Sequence, residues 1–388
     1  MSKTPTPVPF VDLHALHQSL QDEIEQAVRD VLDRGDFILG RAVKTFEGDF
    51  ARACGVSCGI GVSCGTDAIA LGLRACGIGT GDEVIVPANT FIATLIGVLH
   101  AGATPVLVDC DPDTALMDLE AAERAITPRT QALLPVHLYG QMVSPSGLQA
   151  IATRHDLLIF EDAAQAHLAH RDGYTAGSVG MAAAFSFYPS KNLGAGGNGG
   201  ITVTPNAHIA ERLQALRNYG APQKYVHAYR GTNSRLDTLQ AAILNVKLPR
   251  LPEWNRQRNE AARRYDRQLE PLRESGIVPM RNDSDRGHVY HLYVVRVTDE
   301  SPLTRDELAA ELEQQGIQTG IHYPIPCHLQ PAYRDLGYEE GRFPHAETLS
   351  RQILSLPMFP GLSEAQIDRV VRAIETAVRH PVSSAARS

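Results

Sequence analysis

The sequence predicts an α/β protein with a large, mainly parallel sheet and a smaller C-terminal α/β domain. Short apolar runs alternate with helical patterns up to residue 204, and such alternation is typical of βαβ units. From about residue 235 the alternation gives way to a long helical pattern, one strand and a further helix. We therefore predict a large domain at 1–245, a small domain at 246–380 and a tail at 381–388.

The elements of the large domain follow from apolar periodicity. An amphipathic helix opens the chain, and its apolar residues are Leu13, Leu16, Leu20, Ile24, Val28 and Val31. Apolar runs predict strands at 83–87, 104–109, 132–137, 157–162, 183–187 and 200–204. Helical patterns lie between them at 63–76, 90–101, 117–126 and 145–155. In such sheets ligands bind at the carboxyl ends of the strands, so the residues after each strand are candidates for a site.

The C-terminal part begins with a helical pattern that is interrupted by Pro249 and Pro252. A strand is predicted at 288–297 and a helix at 304–316. The helical pattern continues on both sides of these prolines. It indicates that a long helix joins the smaller domain to the larger one.

Charge and composition exclude several function classes. The net charge of −8 argues against a nucleic-acid or anionic-membrane partner. Residues 84–108 carry no formal charge, but prolines and polar residues interrupt them, so we interpret them as strand, buried helix and strand. The first residues lack the apolar segment of a secretory signal, and we predict a cytoplasmic protein.

The six cysteines do not predict a metal site. They form no C-x-x-C pair, and their spacing matches no zinc or iron–sulfur pattern. We predict free thiols, most of them buried, and no bound metal.

Lys191 lies between a predicted strand and the glycine-rich run 194–200. Gly194, Gly196 and Gly199 match G-x-G-x-x-G, but a strand follows them, whereas a dinucleotide site requires a helix there. We therefore interpret the lysine as the functional residue and predict that the glycines leave space for a cofactor and a substrate beside it.

Two further motifs carry polar groups. Asp162 ends the predicted strand 157–162, and Gln165 follows three residues later; taken alone, Asp162 is better explained as a helix cap. Gly65 and Thr66 lie at the start of the predicted helix 63–76, where free N–H groups suit a phosphate, although an empty helix N-terminus explains them too. Together with Lys191 these motifs provide a phosphate cradle, an acid for a pyridinium nitrogen and a Schiff-base lysine, which are what pyridoxal phosphate requires.

The chain also resembles a known family through several segments, which appear in the family's order between about Pro9 and Leu362. They are "GTDAIALGL", "PANTFIAT", "EDAAQAH", "FSFYPSKNLGA", "GTNSRLDTLQAAIL" and "IHYPIPCHLQPAY". They are similar to segments of the DegT/DnrJ/EryC1/StrS family of sugar aminotransferases. The resemblance implies a fold-type-I aspartate aminotransferase architecture with a mostly parallel seven-stranded sheet. It also implies pyridoxal 5'-phosphate as cofactor and a homodimer with shared active sites.

The resemblance assigns roles to individual residues. It implies that Lys191 is the catalytic Schiff-base lysine and that Asp162 pairs with the ring nitrogen of the cofactor. The other cofactor-binding residues that it implies are Gln165 near the ring hydroxyl, Phe91 stacked on the ring, Gly65, Thr66 and Ser186 at the phosphate, and Asn233 from the neighbouring subunit. The substrate-binding residues expected are His167, Tyr188, His322, Tyr323 and His328. For His322, Tyr323 and His328, a metal pair and a core packing cluster are the alternatives to a sugar-binding loop.

Two departures from the family pattern concern the surroundings of the site. Leu168 stands where related sequences carry glycine, and Asn198 stands in the glycine-rich run where they favour an acid. Some relatives that remove a sugar hydroxyl carry histidine in place of the Schiff-base lysine, so Lys191 indicates amino transfer.

The resemblance implies amino transfer, with glutamate as donor, to a nucleotide-linked keto-deoxy-sugar. The segments around residues 234 and 323 are most similar to members that act on dTDP-3-keto-6-deoxyhexoses. The alternatives are a 4-keto sugar, a UDP-linked 3-keto sugar or an inosose. A more distant alternative is a non-catalytic regulator that binds the cofactor, although the sequence shows no basic helix-turn-helix segment.

Overall fold

The computed structural model describes residues 7–380, and the predicted tail at 381–388 lies outside this range. The strands of the described chain are β1 (Cys58–Val62), β2 (Glu83–Pro87), β3 (Thr104–Val108), β4 (Thr130–Leu133), β5 (Leu158–Asp162), β6 (His170–Arg171), β7 (Tyr174–Thr175), β8 (Ala182–Ser186), β9 (Gly200–Thr204), β10 (Ile277–Pro279), β11 (Tyr293–Val297) and β12 (Ile353–Leu356). The α-helices are α1 (Leu13–Gln18), α2 (Gln21–Arg34), α3 (Arg41–Ala53), α4 (Gly65–Ala75), α5 (Ile92–Ala101), α6 (Leu119–Arg124), α7 (Pro145–His155), α8 (Ala207–Leu216), α9 (Thr238–Lys247), α10 (Leu251–Leu269), α11 (Arg305–Gln314), α12 (Pro344–Gln352) and α13 (Glu364–Arg379).

Seven strands form the large sheet in the order β1-β9-β8-β5-β4-β2-β3. The pairings of β3 with β2, β2 with β4, β4 with β5 and β5 with β8 are all parallel. Strand β9 runs antiparallel to both of its neighbours. The α/β class and the mostly parallel seven-stranded sheet are therefore confirmed.

Two apolar cores hold the chain together. The larger one surrounds the seven-stranded sheet, where Gly72 of α4 allows close packing: a Cβ there would lie 2.5 Å from the ring of Phe160. The smaller core contains residues of α10, α11, α13 and the antiparallel sheet β10-β11-β12. The domain boundary at 245/246 stays a prediction.

Charged side chains close one edge of the large sheet at β1. Gly61 donates its N–H to Glu47 Oε1 at 2.7 Å and accepts a hydrogen bond from Arg217 at 2.6 Å. Glu47 and Arg217 also form an ion pair, and both are buried. Both backbone groups of Gly61, which an edge strand would leave unpaired, are thus satisfied within the chain.

Several predicted elements differ from the observed ones. The opening helix is divided into α1 and α2 at Ser19 and Leu20, and the prediction omitted β1, whose two glycines weaken the strand pattern. The strand predicted at 132–137 ends at Leu133, because Pro135 cannot donate to the ladder. Residues 288–292 are not part of β11; instead Val289 N–H bonds to Gly140 O at 2.9 Å.

The uncharged segment 84–108 folds as predicted, into β2, the largely buried helix α5 and β3. No helix within residues 7–380 has both the length and the apolar character needed to cross a membrane.

Candidate active site

The candidate site lies at the carboxyl ends of the central strands β5 and β8, which are parallel neighbours. Asp162 is the last residue of β5, Ser186 is the last residue of β8, and Lys191 follows five residues after Ser186. In a parallel sheet these ends meet at one edge, so the folding of the sheet brings the three residues together.

Asp162 is a buried carboxylate with a fixed orientation. Its Oδ2 accepts a hydrogen bond from Thr94 Oγ1 at 2.7 Å, and its Oδ1 accepts one from Ala164 N–H at 3.1 Å. Burial raises the pKa of Asp162, and the bonds from Thr94 and Ala164 and the charge of Lys191 oppose that rise. A cationic partner in the site would stabilise the ionised form.

Lys191 carries a perturbed amine. Burial lowers the pKa of Lys191 to about 8, and the charge of Asp162 limits the decrease. Within the described residues the ammonium group makes no hydrogen bond, whereas the backbone N–H of Lys191 bonds to Tyr188 O at 2.8 Å. Lys191 is thus coupled to Asp162 through charge, and no hydrogen bond within the described residues engages its amine.

Helix α4 directs its N-terminus at the same edge. Its N-cap residue, Cys64, makes no capping hydrogen bond through its side chain. A Cβ on Gly65 would lie 2.7 Å from Ser186 Cβ, so only glycine allows the helix start to approach β8 this closely. Asp67, the acid of the first turn, accepts hydrogen bonds from Ser63 Oγ at 2.5 Å and Ser234 Oγ at 2.6 Å.

Gln165 connects the sheet edge to a distant segment. Its Oε1 accepts a hydrogen bond from Tyr139 N–H at 2.6 Å, and its Nε2 donates to Tyr323 Oη at 3.0 Å. The ring centroid of Tyr323 lies 5.1 Å from that of Phe91, which is 50% exposed. His322 is partly buried and bonds through Nδ1 to Ser355 Oγ at 2.9 Å.

Asn192, which follows Lys191, is anchored on three sides. Its Nδ2 donates to Asn255 Oδ1 at 3.0 Å and to Val289 O at 2.9 Å, and its Oδ1 lies 3.1 Å from His291 Nδ1. Because a carbonyl oxygen can only accept, the bond to Val289 fixes the orientation of the amide, and His291 therefore carries its proton on Nδ1.

The glycine-rich run has a different role from the one predicted. Cβ atoms at Gly194 and Gly200 would lie 2.2 Å from Pro189 O and 2.3 Å from Cys64 O, respectively. Several of these glycines are therefore required by contacts with the protein itself. The prediction that they leave space for cofactor and substrate is wrong for these two positions.

Two of the predicted substrate-binding histidines are buried and bond to groups within the protein. His167 is fully buried, packs against Phe185 and Phe187, and bonds through Nε2 to Ser186 O at 2.9 Å. His328 is buried and bonds to Glu347 Oε1 at 3.0 Å. The burial of both rings favours a packing role, and a substrate role for these two residues stays a prediction.

The remaining candidates are accessible. Tyr188 is 56% exposed, Asn233 is exposed, and Thr66 at the start of α4 is partly exposed. Leu168, one of the departures from the family pattern, has a φ of 63°, a backbone conformation that favours glycine.

Sequence reasoning missed Thr94, Tyr139 and the anchors of Asn192. Thr94 lies within the quoted segment "PANTFIAT". Its hydroxyl follows that of Thr90 by four residues, and this spacing could have indicated a polar pair near the site. Nothing in the local sequence indicates that Tyr139 or His291 faces the site, since their partners lie 26 and 99 residues away.

The residues present fit pyridoxal phosphate. An uncapped helix start beside Ser186 suits a phosphate, and the buried carboxylate of Asp162 suits a protonated ring nitrogen. The nearby amine of Lys191 has a lowered pKa, which suits covalent attachment.

Comparisons with known proteins agree with this fit. The model of the DegT/DnrJ/EryC1/StrS aminotransferase family matches residues 18–375. The dTDP-3-amino-3,4,6-trideoxy-alpha-D-glucose transaminase of Streptomyces venezuelae is 47% identical over 374 residues, which cover 96% of this chain and 97% of the relative. The UDP-N-acetyl-3-dehydro-alpha-D-glucosamine 3-aminotransferase of Acidithiobacillus ferrooxidans is 43% identical, over 95% of this chain and 97% of the relative. The crystal structure of S. venezuelae DesV superposes with a TM-score of 0.92 at 46% identity and covers 97% of this chain and 100% of that one.

Proposed function

The chain belongs to the DegT/DnrJ/EryC1/StrS aminotransferase family, and from that premise we propose that it transfers the amino group of glutamate to C3 of a dTDP-linked 3-keto-6-deoxyhexose. It is a pyridoxal-phosphate-dependent aminotransferase of nucleotide-linked keto sugars. Glutamate as donor, dTDP as the nucleotide and C3 as the aminated carbon are the parts that we propose.

One observation carries the catalytic assignment. Asp162 ends β5, and Lys191 follows five residues after the end of the adjacent parallel strand β8. Their charges are coupled, since each shifts the pKa of the other. A free amine, a buried carboxylate and the open start of α4 thus share one edge of the sheet. A simple helix cap does not require a neighbouring lysine with a lowered pKa.

Lys191 would hold the cofactor and move protons at its Nζ. When bound, pyridoxal phosphate supplies a carbonyl carbon that carries the amino group between substrates and a ring that accepts electrons. Because the pKa of Lys191 is lowered to about 8, a useful fraction of its amine is neutral near neutral pH. A neutral amine is both a nucleophile and a general base, and its protonated form is the matching acid.

The other side chains would bind and orient. Asp162, held by Thr94, would keep a proton on the ring nitrogen, because a nearby carboxylate favours a cation. The free N–H groups of Gly65 and Thr66, with Ser186, would bind the phosphate. Phe91 and Tyr323 provide ring surfaces on the exposed side, where they would cover the cofactor and limit the access of water.

The sugar would bind on the open side of this edge. His322, Tyr323 and Tyr188 offer partly exposed polar groups there. The support for a 3-keto substrate is that both relatives named above are described as acting at the 3-position, one on a dTDP-sugar and the other on a UDP-sugar.

We further propose a cytoplasmic homodimer in which Asn233 reaches the phosphate of the neighbouring subunit. Asn233 is exposed and follows a loop with several exposed apolar side chains, namely Tyr219, Tyr225, Val226 and Tyr229. An exposed apolar group of this kind marks a surface that another chain covers.

The proposed function is tested by incubating the purified holoenzyme with glutamate and a panel of keto sugars. We expect loss of the yellow colour with glutamate alone and a dTDP-3-amino sugar by mass spectrometry when the 3-keto sugar is added. Amination only of a 4-keto sugar, a UDP-linked 3-keto sugar or an inosose would contradict the proposed substrate. A protein that binds the cofactor without any turnover would instead be a regulator.

A further inference from the structure

Tyr139 occupies an unusual position between β4 and the site. Its backbone has φ 61° and ψ −1°, a conformation that is unfavourable for a residue with a bulky side chain. The next residue, Gly140, also has a positive φ, of 101°. Tyr139 is 4% exposed, so surrounding contacts must hold this turn in place.

Those contacts use all three polar groups of Tyr139. Its N–H donates to Gln165 Oε1 at 2.6 Å, and its hydroxyl donates to His322 O at 2.7 Å. Its carbonyl oxygen accepts the N–H of Leu292 at 3.3 Å. One residue thus joins three segments that are far apart in the chain.

The bond to Gln165 determines where the other end of that amide points. Since Oε1 faces a donor, Nε2 is directed at Tyr323 Oη, 3.0 Å away. The bond to His322 holds the residue that precedes Tyr323. Tyr139 therefore contacts both partners of the Gln165–Tyr323 hydrogen bond, one directly and one through the chain.

We propose that Tyr139 is a positioning residue that holds the His322–Tyr323 segment against Gln165 and so fixes one wall of the substrate site. The inference rests on the proposed function, because only that function makes this wall a substrate contact. Tyr139 itself touches neither substrate nor cofactor in this role. Its hydroxyl acts through the position of His322 O.

A buried tyrosine with a satisfied hydroxyl is also what any stable core contains, so the test needs a matched control. Tyr265 provides it: this fully buried tyrosine donates its hydroxyl to a backbone oxygen, that of Pro357, at 3.1 Å. Tyr139→Phe and Tyr265→Phe remove the same atom and the same kind of bond. We expect both variants to fold, with Tm values lowered by a similar amount, roughly 1–3 °C.

The first measurement follows the segment directly and needs no turnover. Cys327 lies five residues after His322, is 1% exposed and donates Sγ–H to Thr90 O at 3.3 Å, so it reacts only when the segment opens. The holoenzyme is incubated with iodoacetamide, and the labelling rate of each cysteine is read by peptide mass spectrometry. We expect labelling of Cys327 to be about fivefold faster in Tyr139→Phe, which is the effect of losing one hydrogen bond on an opening equilibrium.

Internal controls separate local from global opening. Cys54 is also fully buried, and its labelling rate should change by the same small factor in both variants, because it reports on global opening. In Tyr265→Phe, Cys327 should change by no more than Cys54 does. Equal acceleration of Cys327 in both variants, or no acceleration in Tyr139→Phe, would overturn the positioning role.

The second measurement links the wall to the substrate. In Tyr139→Phe we expect the KM for the keto sugar to rise roughly fivefold while kcat changes less than about twofold, because the loss is one of substrate positioning. Tyr265→Phe should leave both constants unchanged. Faster labelling of Cys327 with an unchanged KM would refute the contact between wall and sugar. Absence of any transaminase activity in the wild type would instead contradict the proposed function, and the labelling result would still decide whether Tyr139 holds the segment.

Discussion

Lys191, which is partly buried, and Lys247, which is buried, have the same altered acidity and different surroundings. Burial lowers the pKa of each to about 8. The Lys247 ammonium donates to Gly194 O at 2.6 Å and lies 2.7 Å from His17 Nε2, so its hydrogen bonds are used within the protein. Lys191 is instead influenced by the charge of Asp162, and its amine makes no hydrogen bond within residues 7–380.

The comparison shows that a lowered pKa does not identify a catalytic lysine. Burial alone produces the shift at Lys247, where the amine connects α9 and α1 to the glycine-rich run. At Lys191 the same shift coincides with a strand end, a buried acid and an uncapped helix start. The surroundings, and not the acidity, distinguish the reactive lysine, Lys191, from the structural one, Lys247.

Removal of the Lys191 amine should reduce activity more than any other change proposed for these residues. Lys191→Ala should lower amino transfer by at least about 10⁴-fold, because the attaching amine and the proton carrier are one atom. The circular dichroism spectrum should stay that of the wild type. Single-turnover measurements with glutamate test this prediction. If Lys191→Ala reacts at a rate close to that of the wild type, another residue carries the chemistry.

Replacement of Asp162, the acid whose charge acts on Lys191, should cause a smaller loss of activity. Asp162→Asn keeps the shape and one acceptor oxygen for Thr94, but it removes the charge and the acceptor for Ala164 N–H. We expect a loss on the order of 10²-fold in kcat. Thr94→Val is the companion variant, since it keeps the charge of Asp162 and removes the bonds of the Thr94 hydroxyl to Asp162 and Thr90. If Asp162→Asn loses less than about threefold, Asp162 is a helix cap and not part of the machinery.

A third experiment asks whether the site around Lys191 belongs to one chain. Asn233→Asp would place a carboxylate beside the phosphate of the partner subunit and should weaken cofactor binding through like-charge repulsion. The inactive variants Lys191→Ala and Asn233→Asp are mixed and allowed to exchange subunits. Half of the dimers then contain one intact site, so activity should return towards about a quarter of the wild-type value.

The control for this mixture is a tag on one variant that reports subunit exchange. Recovery of activity without mixed dimers would indicate contamination by wild-type protein. Mixed dimers without recovery would mean that each site is built within one chain.

Removal of the Lys247 amine should have little effect on activity. Lys247→Met should change kcat less than about threefold, since its amine takes no part in the reaction. Its effect on stability should depend on pH: between pH 8 and 10.5 the unfolded lysine stays protonated while the folded one loses its proton, so the wild type gains stability relative to the variant as pH rises.

The measurement is the difference in free energy of unfolding between wild type and Lys247→Met, from urea titrations at pH 7 and pH 9.5. We expect this difference to move by roughly 1–3 kcal/mol in favour of the wild type. A difference that stays constant with pH would show that Lys247 keeps its ordinary pKa in the folded protein.

Much of the fold could be predicted because it is encoded locally. The strands at 83–87 and 200–204 have the predicted bounds, and the helix predicted at 145–155 coincides with α7. Their apolar periodicity, turn residues and prolines all lie within the segment itself. Strand β1 was missed because its glycines are explained by neighbours that are distant in sequence, such as Leu236 beside Gly61.

The candidate site divides in the same way. The positions of Lys191, Asp162 and Gly65 near strand ends or at a helix start could be predicted, because these placements depend only on adjacent residues. Three features become evident only in the folded chain: Tyr139 contacts His322, Asn192 bonds to His291, and the rings of His167 and His328 are buried. Such contacts join residues far apart in the chain, and no local pattern encodes them, because each depends on how separate elements pack against one another.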